Sequence, residues 1–193
     1  MTGRRNRAGD TPPLAWGDAL RADKIRRSKL RKRSAITGGG IVILLASAAL
    51  PPAPRLVWNA SASAPVGLYG VSPGAAVDPG DMVIARVPEP FRRLAAERRY
   101  LPMNVPLVKR VTAIAGDEIC ALGQEIFVNG RWTAERRVAD GQGRPMPAWS
   151  GCTRLRGGQL FVLMDNPASF DGRYFGETEG RDVIGKARLL WRR

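Results

Sequence analysis

The chain has 193 residues, enough for one domain with appendages and a core that needs no metal to hold it. It carries 31 Lys/Arg against 17 Asp/Glu, for a formal charge of +14, and contains no histidine. The missing histidine excludes a Ser-His-Asp hydrolase and, with only two cysteines present, a Cys/His zinc site. No cofactor is expected.

The charge is concentrated at the N-terminus. Residues 1–34 hold 11 of the basic side chains and three acids, Asp10, Asp18 and Asp23, so the tail carries +8 of the +14 and the other 159 residues +6. Such tails bind nucleic acid, bind anionic lipid or orient a membrane segment. The next segment favours the last use. Residues 35–50, AITGGGIVILLASAAL, are uncharged and mostly apolar, and PPAP ends them. The stretch is short against the roughly 17–25 residues of a spanning helix, and Gly38–Gly40 weaken a helix. A basic run directly before an apolar one still predicts an anchor with its N-terminus cytoplasmic and the remainder beyond the membrane. Membrane lipid is then a partner and nucleic acid is not expected.

A cleavable signal peptide is the competing reading. Ala46-Ser47-Ala48 and Ala60-Ser61-Ala62 both have the small residues of a cleavage site. RRSKLRK has the residues of a twin-arginine signal in the wrong order. The long basic region and the Pro-rich PPAPR favour the anchor. This divides the chain into a cytoplasmic tail (1–34), a transmembrane segment (35–50), a juxtamembrane spacer (51–58) and a domain (59–193). Outside the cytoplasm, Cys120 and Cys152 are predicted to form a disulfide, the alternative being two buried thiols.

From residue 59 the pattern is mainly β. GDMVIARVP, PLVKRVTAIAG, DEICALG, EIFVNGRW, QLFVLMD and DVIGKARLLW are short apolar or β-branched runs separated by Gly, Asp and Pro. Asn129-Gly130 predicts a type I′ hairpin turn. Only PEPFRRLAAERRYL, residues 88–101, has helical character, and it reads as a surface excursion. The expected fold class is a mainly antiparallel β domain with short strands, long connections and one N-terminal helix.

Three segments carry residues suited to chemistry. In NASASAPVGLYG, Pro65 and Gly67 constrain the backbone after Ser63. If the segment is extended, Ser61 and Ser63 share a face, so Ser61 O–H and Ser63 N–H can both reach an oxyanion formed at Ser63. In LVKRV, alternation puts Lys109 and Arg110 on opposite faces. One of them then faces inward, or the strand lies at an edge and Lys109 merely snorkels. A free lysine has a pKa near 10.4 and is almost wholly protonated at neutral pH, so a lysine base has to be buried. In MDNPASFDGRYFG, Ser169 or Asp171 is placed to hold such a lysine, or an Asp171–Arg173 contact simply stabilises a turn.

Together and in this order, the three segments resemble those of the bacterial type I signal peptidases, membrane-anchored Ser-Lys peptidases. Their nucleophile box follows the anchor, their lysine box has Lys-Arg-Val followed by Gly-Asp, and their last box has Ser-x-Asp-x-Arg-Tyr-x-Gly. The resemblance covers roughly residues 41–193. Ser63 standing two residues before Pro65, with GRPMPAWSGC and the terminal IGKARLLWRR, is most similar to the conjugative-transfer peptidases of the TraF type. The resemblance implies Ser63 as nucleophile, Lys109 as general base, Asp171 as a supporting acid, Ser61 as an oxyanion donor and Ser169 as the residue orienting the lysine. Asp165 and Arg173 belong to the loop beneath. Met164-Asp165-Asn166 and Asp171-Gly172-Arg173 depart from the family's usual Gly-Asp-Asn and Asp-Ser-Arg.

The function this implies is endopeptidase maturation of a secreted, pilin-like precursor for a conjugation or type IV secretion apparatus, at the bacterial inner membrane with the domain periplasmic. Release by water or by the substrate's own amine, giving a cyclic product, is open. The alternatives are a Ser-Lys self-cleaving regulator whose tail binds DNA, and a non-enzymatic secretion-complex component.

Overall fold

A computed structural model of the chain describes residues 13–49 and 54–193. The chain divides into two compact units, Met1–Pro52 and Ala53–Arg193.

In the first unit, Pro13–Ala49 form one helix, α1, which runs through Gly38–Gly40. Among the described residues no helix is long and apolar enough to cross a membrane. The expected transmembrane segment 35–50 is therefore not established as a span. The physical reason is length and dilution: the uncharged part of α1, residues 34–49, rises about 24 Å at 1.5 Å per residue. A hydrocarbon core is about 30 Å thick, and this part includes three glycines, Thr37 and two serines. Leu50, at the end of that segment, and residues 51–53 of the expected spacer lie outside the described residues.

The second unit is built on two antiparallel sheets. The larger has six strands in the order β1-β2-β10-β3-β4-β9: Leu56–Asn59, Gly67–Ser72, Val183–Arg192, Met82–Ala85, Leu107–Ala113 and Phe161–Leu163. The smaller has the order β7-β6-β5-β8: Arg131–Glu135, Glu125–Val128, Glu118–Leu122 and Gly151–Arg154. The spacer expected over 51–58 is thus corrected at its end. Leu56 to Asn59 pair with β2, Asn59 opposite Gly67, because Leu-Val-Trp-Asn suits a sheet edge better than a linker.

The expected Asn129-Gly130 turn joins β6 and β7 with both residues at positive φ, 49° and 74°. Cys120 and Cys152 face each other in register on β5 and β8 and form a disulfide. The helix within 88–101 is α2, Glu89–Glu97. It is no mere excursion, since Ala95 is buried and Phe91 and Leu101 pack on Val83, Val87 and Phe175.

Three apolar clusters fill the unit. One ties the smaller sheet to the larger through Ile119, Ile126, Leu155 and Phe161. Another joins Tyr69, Val71, Ile84, Val108 and Met164, and the third lies under α2. At about 25 cal/mol per Å² of apolar surface removed from water, these clusters dominate the stability of the unit. They also fix the strands that carry the site.

Candidate active site

Ser63 sits in the short loop between β1 and β2. The loop is not extended. Residues 62 and 63 form a turn closed by Ala64 N–H to Ser61 O at 3.4 Å. The turn, rather than strand alternation, brings Ser61 Oγ to 3.0 Å from Ser63 Oγ, and the Ser63 N–H donates to Ser61 Oγ at 3.3 Å.

Asn59 organises this loop, a role that none of the three motifs assigns to it. Its Nδ2 donates to the carbonyls of Ser61, Ala64 and Pro65 at 3.0–3.2 Å, and its Oδ1 accepts from Ser61 N–H. The side chain is 7% exposed. An Asx residue heading a loop, as in Asn59-Ala60-Ser61, is the signal that identifies it. Tyr69 O–H adds a bond to Pro65 O. Gly67 is required by close approach, because a Cβ there would meet Trp191 O at 2.1 Å.

Lys109 resolves the choice left open by alternation. β4 lies between β3 and β9, so it is not an edge strand. Lys109 points inward and is 2% exposed, while Arg110 points out and pairs with Asp165 at 3.1 Å. Lys109 Nζ lies 2.9 Å from Ser63 Oγ and 2.8 Å from Ser169 Oγ. Burial pulls the Lys109 pKa down to about 8, against the attraction of Asp171.

Asp171 stands one step behind. It is fully buried and makes no hydrogen bond to Lys109 or Ser63 among those of the described residues. Its carboxylate accepts from Met164 N–H at 3.1 Å and Arg173 N–H at 3.2 Å. Desolvation raises its pKa, opposed chiefly by the Arg173 charge. Both readings of this segment hold: Asp171 pairs with Arg173 at 3.4 Å, and it stands beneath the lysine's partner.

Arg173 is 3% exposed and donates to Asn166 O and Met164 O, so it does hold the loop. Asp165 does not. Its side chain is exposed and meets only the outward Arg110. Gly172, where the family pattern has serine, follows from packing: a Cβ would meet the Phe161 ring at 2.7 Å and Val162 O at 2.8 Å.

Ser63 and Lys109 open into a cleft of about 230 Å³. Besides Asn59, Ser61, Ser63 and Lys109, its walls come from Tyr100 and Leu101 after α2, from Ala168–Phe170, and from the connection holding Arg137, Asp140 and Met146. The sequence offers no spacing signal for these, because the walls come together only through the tertiary fold.

The chain matches the family described as signal peptidase, peptidase S26, over residues 31–192. It is similar to a plasmid transfer protein TraF of Escherichia coli, with 34% identity over 179 residues, 86% of this chain and 99% of that protein. It is also similar to a probable conjugal transfer protein TraF of Sinorhizobium fredii, 32% identical over 67% of this chain and 73% of that one. A signal peptidase I of Bacillus caldolyticus is 30% identical over 50% of this chain and 59% of that one. The match runs through all three segments that build the cleft, and this chain belongs to the signal peptidase S26 family.

Proposed function

We propose that this chain is a Ser-Lys endopeptidase that matures a secreted, pilin-like precursor for conjugal transfer. The observation that carries the reading is the chain of contacts from Ser63 through Lys109 to Ser169, 2.9 and 2.8 Å long, in a histidine-free protein. In this reading a neutral Lys109 keeps its 2.8 Å bond to Ser169 Oγ and uses its lone pair to accept the proton of Ser63, 2.9 Å away.

At a pKa of about 8, roughly one Lys109 in ten is neutral at pH 7, against about one in several thousand at the ordinary value. Ser63 Oγ attacks the scissile carbonyl carbon as its proton passes to Lys109 Nζ. Ser63 N–H and Ser61 O–H hold the oxyanion, which replaces the long 3.3 Å contact between those two residues. The C–N bond breaks as Lys109 returns the proton to the departing amine. Water, or an amine of the substrate, then attacks the acyl-enzyme with Lys109 again as base.

The transfer-protein names of the relatives support a conjugation setting. The basic, partly apolar α1 supports attachment to the inner membrane, and the Cys120–Cys152 disulfide supports an oxidising, periplasmic setting for the Ser-Lys unit. The test is complementation of plasmid transfer and precursor processing by Ser63→Ala, Lys109→Ala and Lys109→Arg at matched membrane levels. All three are expected to abolish processing. Normal processing by Ser63→Ala would sink the peptidase reading and leave a structural partner of the transfer complex.

A further inference from the structure

The cleft beside the dyad is lined by three charged side chains, Lys109, Arg137 and Asp140. Lys109 is sunk between two serines. Asp140 is fully engaged: it accepts from Tyr100 O–H at 2.5 Å, Arg144 Nε at 2.7 Å, and the N–H groups of Gln142 and Arg144 at 2.9 Å. These bonds hold its carboxyl well below the usual carboxylate range. It closes the far wall of the cleft and has no capacity left for a substrate cation.

Arg137 is different. Its backbone is pinned, its N–H donating to the Tyr174 hydroxyl oxygen at 3.3 Å, and the preceding Arg136 is buried with bonds to Trp149 O and Gly123 O. Tyr174 stacks on Phe170 at 5.9 Å, and Phe170 follows the Ser169 that touches Lys109. Arg137 is therefore anchored in the same wall as the dyad. Its side chain is exposed and its guanidinium enters none of the ion pairs of the described residues. An anchored backbone that places an exposed guanidinium, free of ion pairs among the described residues, at the lining of this cleft suits an anionic partner, and in a peptide that partner is a carboxylate.

We propose that Arg137 is a specificity-determining residue that binds a carboxylate of the peptide substrate within a few residues of the bond cut at Ser63. This rests on the peptidase reading above. The carboxylate comes from an Asp or Glu side chain or from the substrate's C-terminus. A planar guanidinium holds either one bidentately, and beside an open cleft the contact is weakened by salt.

The test uses the full chain in detergent and a set of decapeptides with an Ala-x-Ala core. Glu, Gln or Lys is placed at each position within four residues of the cut, and every peptide is made with a free and an amidated C-terminus. Cleavage is read by mass spectrometry for wild type, Arg137→Gln and Arg137→Lys. Wild type is expected to favour Glu over Gln at one position by about 5- to 30-fold in kcat/KM, mainly through KM. Arg137→Gln is expected to erase that preference, so that within this variant the Glu and Gln peptides are cut at equal kcat/KM, and Arg137→Lys to keep part of it. If the carboxylate is terminal, the preference is instead for the free over the amidated series, and it is lost in the same variant. Equal cleavage of acidic and neutral peptides by wild type, or an equal loss on all peptides in Arg137→Gln, overturns the assignment. If wild type cuts no peptide and behaves as Ser63→Ala does, the peptidase reading has failed and this assignment fails with it.

Discussion

A lysine with 2% exposure and, among the described residues, no direct carboxylate partner is costly to a folded protein, and that same cost would suit Lys109 to the proposed role of base. The folded pKa of Lys109 is lowered to about 8, below the unfolded value, so the unfolded chain binds the extra proton more readily. The resulting destabilisation is present in full below pH 8 and fades as pH rises from about 8 toward 10.5. Lys109→Met is therefore expected to raise stability at pH 7 by about 2 kcal/mol while abolishing cleavage, and denaturant unfolding at pH 7 and pH 10 checks both sign and window. Wild-type kcat/KM is expected to rise with pH and level off above about 8, where Lys109 is neutral. Ser169→Ala removes the bond that turns the lysine. We expect a 10- to 100-fold loss in kcat with KM little changed and the pH midpoint displaced, which a merely structural serine would not produce.

At the scale of elements, β4 and the loop after β9 set the site, and each depends on what packs beneath it. Gly172 lies flat on Phe161 and Val162, next in sequence to the buried Asp171. Gly172→Ala forces a shift against backbone and ring. It is expected to cost about 1–3 kcal/mol and a larger share of activity than of stability, read by thermal unfolding beside kcat/KM.

Much of this level was legible in advance. The apolar runs that hold β3, β4, β5, β6, β9 and most of β10, the turn at Asn129-Gly130 with the first two residues of β7, and the helix within 88–101 all follow from local pattern. β1 and β2 were not legible, because Leu56–Asn59 directly follows the apolar and Pro-rich stretch that reads as anchor and spacer, and Gly67–Ser72 contains two glycines. β8 escaped as well, its four residues all exposed and its place fixed by the disulfide to β5. The order Ser63, Lys109, Ser169 was legible from the three segments. The Asn59 clamp and the walls at Tyr100, Arg137 and Asp140 were not, since they rest on a loop fold and on contacts between distant segments.

At the scale of the whole molecule, the chain forms two compact units. All three apolar clusters lie within residues 54–193, so the second unit carries its own core. A chain beginning at residue 53 is expected to fold, to cut short peptides at a rate within about threefold of the full chain and to fail in complementing transfer, because the basic helix is gone. Peptide assays beside a mating assay separate the two effects.

The central claim is that Lys109 activates Ser63 to form an acyl-enzyme. Acid quenching of wild type, Lys109→Ala and Ser63→Ala during turnover of a small-residue peptide ester, followed by intact mass and fragment mapping, tests it most directly. Wild type is expected to carry the acyl mass on Ser63, rising with pH through about 8, and neither variant to be labelled. Acylation at another residue, or labelling of Ser63 in Lys109→Ala at the wild-type rate, would contradict it.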